Sequence, residues 1–141
     1  MAQETKFQLK IDAGAVTVPI IDEKDGEVIG RFKFNPNDLD IIKRYEKVVE
    51  SLNAISVPEN AGTEEIFVVT DEIKRQVDYL LNYNVSSELF AKCNPLTLTS
   101  DGNFYVENVL EGIAGIIEQA TNQRIEKKKA KIRKATAKYH K

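Results

Sequence analysis

Side chains that most often carry chemistry are scarce in this chain. Among 141 residues there is one cysteine, Cys93, and one histidine, His140. A single cysteine cannot close an internal disulfide or supply half of a Cys-pair metal site, so neither a zinc centre nor a Cys–His dyad is expected. Acidic residues cluster at Asp22, Glu23 and Asp25, and again at Asp71 and Glu72. The first group falls in a turn and lacks the spacing of a calcium loop. The second fits a helix start, where the dipole favours acids. Gly26 and Gly30 read as hairpin positions and Gly112 and Gly115 as helical ones, and neither pair leads into the Lys-Ser/Thr of a phosphate loop. The expectation is a protein that is not an enzyme and uses no metal or cofactor.

Charge is the residue property with a pattern. Residues 124–141 (RIEKKKAKIRKATAKYHK) hold nine basic residues and one acidic one, a local charge of +8. The other 123 residues hold 11 basic and 21 acidic groups, a charge of −10, although the whole chain is only −2. Cations near a helix C-terminus are favoured by about 0.3–1 kcal/mol each, but nine exceed what the dipole needs. Within the cationic run Ile125, Ile132 and Tyr139 recur every seven residues. Such a stripe is too narrow for a core yet suits a seam against another helix. The candidate partner-binding residues are therefore Ile125, Lys128, Lys129, Ile132, Arg133 and Tyr139, with an acidic protein surface as their complement. Nucleic acid is a second possible partner through the same cations, opposed by the acidic remainder. No Trp, Phe or Leu accompanies the lysines, so a membrane surface is not expected.

These residues need a body to present them. With 42% hydrophobic and 30% charged side chains, the chain has the composition of one folded domain. No apolar run approaches a membrane span, and residues 1–11 lack the features of a secretory signal, which points to the cytoplasm. The expected organisation is an α+β domain over 1–123 and a basic helical extension over 124–141. A small N-terminal antiparallel sheet within 5–34 packs on a helical bundle that ends in a long C-terminal helix. Phe7, Leu9 and Ile11 alternate with polar residues as in a strand. A turn at Ala13-Gly14 follows, then a strand over 15–21 that Pro19 confines to an edge. Asp25-Gly26 supplies the hairpin turn. Residues 27–34 return with Val28, Phe32 and Phe34 inward, and Gly30 marks a bulge or a close backbone approach.

Helical periodicity begins after Asn35-Pro36. Ile41, Tyr45, Val48, Leu52 and Ile55 define an amphipathic helix over 37–56, capped by Asn35 or Asn37 and stopped by Pro58. A second helix is expected over 64–83, with Thr63 as its cap. Ile66-Phe67-Val68-Val69 leaves strand and helix both open at its start. A short helix over 86–93 precedes Pro95. The last helix starts at 103 with Asn103 as cap, and Val106, Val109, Leu110, Ile113, Ile116 and Ile117 form a wide apolar face. Gly112 and Gly115 weaken it by about 1 kcal/mol each relative to alanine, for which close approach of another backbone would compensate. The face thins after Ala120, and the helix is expected to continue as one rod beyond the body.

Several segments together carry a family likeness: FNPNDLDIIKRYEKVVESL, then IKRQVDYLLNYNVSSELFAKCNPLTLTSDGNFYVENVLEGIAGIIEQ, then the Lys-rich end closing in KYHK. Over residues 30–141 the chain resembles small proteins of the tail-morphogenesis regions of phages and prophages of Gram-positive bacteria, a group that includes tail assembly chaperones. The resemblance implies a non-enzymatic protein of the host cytoplasm that binds the tape-measure protein or its own copies during tail assembly. It transfers no binding residues. The alternative expectation is a nucleic-acid-associated regulator using the basic C-terminal helix.

Overall fold

A computed structural model describes residues 5–55 and 59–137, except for the side chains at 128, 129 and 131–137. The elements are β1 (Val16–Ile21), β2 (Val28–Phe34), α1 (Ile41–Asn53), α2 (Thr63–Leu81), α3 (Ser86–Leu89) and α4 (Tyr105–Ala137). The α+β class expected from the sequence is therefore the observed one: a two-stranded antiparallel sheet and four helices, the last long.

The sheet is a hairpin turned at Gly26, whose φ of +74° suits glycine. Val16 pairs with Phe34 and Val18 with Phe32, until a bulge shifts the register between Ile20 and Ile21. β2 alternates between core and solvent, burying Gly30, Phe32 and Phe34. A third strand at 5–11 does not form, and Phe7, Leu9 and Ile11 are 78%, 91% and 80% exposed. Gly14 has a φ of +90°, and its N–H donates to Asp12 Oδ1 at 2.9 Å. The Asn35 side-chain amide donates to the Ala13 carbonyl. These contacts bend the chain just before β1. Pro19 also leaves a gap in that strand's row of donors, a feature that blunts sheet edges. Alternation alone does not make a strand when the turn before β1 directs the segment away from the sheet.

Gly30 seats the sheet on the helices. A Cβ there would lie 2.6 Å from the Leu89 carbonyl oxygen and 2.9 Å from the Tyr105 hydroxyl. The Tyr105 hydroxyl donates to the same Leu89 carbonyl at 3.1 Å, and its ring meets Phe90 edge-on at 5.9 Å. Burial pushes the Tyr105 pKa up to about 12, which keeps the hydroxyl a donor. One glycine thus lets β2, α3 and the start of α4 close on one point. Around it Phe34, Val48, Val77, Leu80, Leu89 and Ile113 are fully buried.

Helix ends depart from the sequence reading for local reasons. α1 begins at Ile41 rather than 37 because Asn35 Oδ1 and Asp38 Oδ1 accept the N–H groups of Asn37 and Asp40, each at 3.0 Å. Those turns hold the chain out of helix. The first helical residue of α2 is Thr63, its cap position is Gly62, and no side chain caps it. Ile66–Val69 are helical, which leaves Asp71 and Glu72 in the helix interior instead of at its start. Asn82, at φ +61°, ends α2 in the left-handed conformation common at helix C-termini. Asp78 then accepts the N–H groups of Val85 and Ser86 at 2.8 Å and the Ser86 hydroxyl at 2.9 Å. α3 stops at Leu89, short of 93, as Phe90 leaves helical geometry.

α4 is not capped by Asn103. Phe104 holds the cap position, and its N–H donates to Glu107 Oε1 at 2.9 Å, the reciprocal half of a capping box. Gly112 and Gly115 are exposed, and an added Cβ at either meets nothing within 4 Å. The expected close backbone approach is absent there. Gly112→Ala and Gly115→Ala should therefore each stabilise the fold by about 0.5–1 kcal/mol. Gly30→Ala, which forces a Cβ against backbone, should cost about 1–3 kcal/mol. Urea unfolding midpoints check all three.

Candidate docking surfaces along the C-terminal helix

α4 runs unbroken from Tyr105 through Thr121 to Ala137, 33 residues or roughly 50 Å. Two bonds set its direction against α1. The Tyr45 hydroxyl donates to the Leu110 carbonyl at 3.2 Å, and Arg124 Nη1 donates to the Asn37 carbonyl at 3.0 Å. Later residues of α4 thus meet earlier residues of α1, so the helices are antiparallel. The stripe of α4 that faces α1 holds Ala114, Ile117 and Thr121, beside Ile42 and Tyr45. α1 starts at Ile41 and the loop before it ends its contact at Arg124, so helical backbone continues for 13 residues, about 20 Å, past that bond.

Ile125 is four residues beyond Thr121 on the same line of the helix and is 45% exposed. Helical spacing carries that line through positions 128 and 132. Of the other residues picked from the sequence, Lys128, Lys129, Ile132 and Arg133 belong to α4, and their side chains fall outside those described. Tyr139 lies outside the described residues.

The loop from which this arm departs is pinned on both sides. Asp38 pairs with Arg44 at 2.8 Å, and Arg44 Nε donates to the Leu80 carbonyl at the far end of α2 at 3.0 Å. The hydrogen bond from Arg44 holds the Asp38 carboxyl below its ordinary value of 3.8. Beside the loop is a cleft of about 620 Å³, lined by Val16, Pro36, Ile116 and Ala120, with Arg124 and Lys127 adding positive charge. The sequence reading missed this cleft because its walls come from three distant segments.

A second surface lies at the opposite pole. Residues 63–68 at the start of α2 are all exposed, with Ile66, Phe67 and Val68 at 37%, 56% and 68%. Three successive apolar residues in a helix cannot share one face, so a signal for exposure was present in the sequence. Next to them a groove of about 280 Å³ is lined by Leu52, Ile55, Val69, Phe104 and Leu110.

Among the described residues no group of three or more His, Cys, Asp or Glu is placed to hold a metal ion, and no helix is long and apolar enough to cross a membrane. Cys93 is half-buried against the core.

Because the folded pKa of Asp38 is depressed, its contribution to stability is present above the ordinary carboxylate range and lost as pH falls through the folded value. Asp38→Asn should be less stable than the parent at neutral pH, with the gap closing below about pH 4. Urea midpoints measured across that range check the sign. Against known proteins, the chain matches no family model, and no curated protein or solved structure is significantly similar to it.

Proposed function

We propose that this protein is a non-enzymatic phage tail assembly protein, similar to tail assembly chaperones, whose cationic C-terminal helix binds a helical tail protein such as the tape measure, or its own copies. The supporting observation is the mismatch between α4 and its cover. The line of α4 that borders the groove beside α1 continues past the start of α1, where Ile125 is 45% exposed, into a segment with a charge of +8. A narrow apolar line flanked by cations favours an acidic amphipathic helix. The charge adds association rate and partner choice more than affinity. Lys128, Lys129, Ile132, Arg133 and Tyr139 join Ile125 in this role, acting in the cytoplasm of the bacterial host.

The same cations support a second reading, a nucleic-acid-associated regulator, which the charge of −10 on the first 123 residues opposes. Duplex DNA binding titrated against salt separates the two. A regulator binds at low salt and releases steeply as salt rises, whereas an assembly protein shows little binding at any salt.

The direct test is co-expression of the full-length chain with a long helical tape-measure protein. The tail protein should become more soluble, and Ile125→Glu combined with Lys128→Glu and Lys129→Glu should remove most of that gain. A tail protein equally insoluble with and without this chain would end the proposal.

A further inference from the structure

The fold separates two surfaces of opposite character to its two poles. Arg44 near the start of α1 bonds Leu80 at the end of α2, so α1 and α2 are antiparallel, as α1 and α4 are. The starts of α2 and α4 therefore share one pole, and the arm of α4 leaves from the other. A single groove confirms this arrangement, because it takes Leu52 from the end of α1 and Ile55 just after it, Val69 from early α2, and Phe104 just before α4 with Leu110 from its second turn. Around it Phe67 and Val68 are more than half exposed, and Phe104 is 41% exposed. Glu59, Glu64 and Glu65 lie just before and in the first turn of α2 with no basic residue among 59–73, while Glu72, farther along the helix, is paired with Arg75. This pole is thus apolar in the middle with acids beside it, whereas the sequence of the arm spaces Ile125 and Ile132 seven residues apart among cations.

We infer that the apolar groove at the α2 pole receives the C-terminal arm of a second copy of this chain, so that molecules associate head to tail. Charge selects this occupant. Two arms at +8 each repel, which disfavours pairing of arm with arm, and two acidic poles repel in the same way. Pole and arm attract. The contact joins different surfaces of the two copies, so it is either exchanged reciprocally in a two-fold dimer or, made once per copy, propagates as a ring or an open chain. The inference rests on reading the end of α4 as a docking arm and names one partner for it.

Sedimentation of the nuclease-treated, full-length protein at low and high salt tests it. The parent should self-associate at low salt and dissociate as salt rises. Three variants are compared: Phe67→Ser with Val68→Ser, Glu64→Lys with Glu65→Lys, and Lys128→Glu with Lys129→Glu and Lys131→Glu. Residues 64, 65, 67 and 68 are exposed, so the pole variants should keep the parent's thermal midpoint. Each variant alone should associate at least ~10-fold more weakly. Mixing the Glu64/Glu65 variant, whose arm is intact, with the Lys128/Lys129/Lys131 variant, whose pole is intact, should restore a one-to-one complex. A parent that stays monomeric at low salt overturns the inference, as does association that survives the pole variants or a mixture that does not recombine. The pole variants should still solubilise the tape-measure protein. Their failure to self-associate while doing so separates this inference from the broader reading, which fails only if that solubilisation is absent in the parent.

Discussion

α4 spans 33 residues, and α1, the helix laid antiparallel against it, spans 13. That inequality of length governs much of the molecule. An amphipathic helix is stabilised chiefly by burying its apolar face, with intrinsic propensity a smaller contribution. Val106, Val109, Leu110, Ile113 and Ile117 supply that burial over the first turns of α4. Beyond the bond from Arg124 to Asn37 the helix continues on backbone hydrogen bonds with α1 no longer beside it. The apolar pattern of the sequence thins over the same turns in which the contact with α1 ends.

The body can hold such a lever because its parts meet at a small, tightly specified junction. Gly30, Leu89 and Tyr105 come from a strand, a four-residue helix and the first residue of α4. No side chain at residue 30 would let the sheet come so close to the Leu89 carbonyl, and the Tyr105 hydroxyl satisfies that carbonyl as it is buried. Asp78 fixes α3 from the other side by taking two backbone N–H groups and a hydroxyl. Asp38 and Arg44 tie the loop at the exit of the arm to the end of α2. Polar contacts therefore set the orientation of elements whose burial is apolar.

Both exposed surfaces follow from one antiparallel arrangement. Because α1 runs against α2 and α4, the starts of the longer helices gather at one end and the excess length of α4 emerges at the other. The distribution of charge along the chain thereby becomes a distribution across the molecule, with Glu59, Glu64 and Glu65 near one pole and the backbone of α4 leading away from the other.

The α+β class, the hairpin at Asp25-Gly26, the amphipathic faces of α1 and α4, and the continuity of α4 were legible in the sequence, since each depends on local periodicity, turn chemistry or the absence of proline. The charge asymmetry was legible too. Tertiary structure decided matters in which distant residues compete or meet. Phe7, Leu9 and Ile11 have a strand's pattern, yet Gly14 and Asn35 turn that segment aside from the sheet. Gly30 shows both the bulge nearby and the close approach, but its neighbours, Leu89 and Tyr105, lie nearly sixty and seventy-five residues on. Gly112 and Gly115 face open space, which no helical periodicity distinguishes from a crossing point. Periodicity specifies which face of an element is apolar; what covers that face depends on the lengths and directions of the elements brought against it.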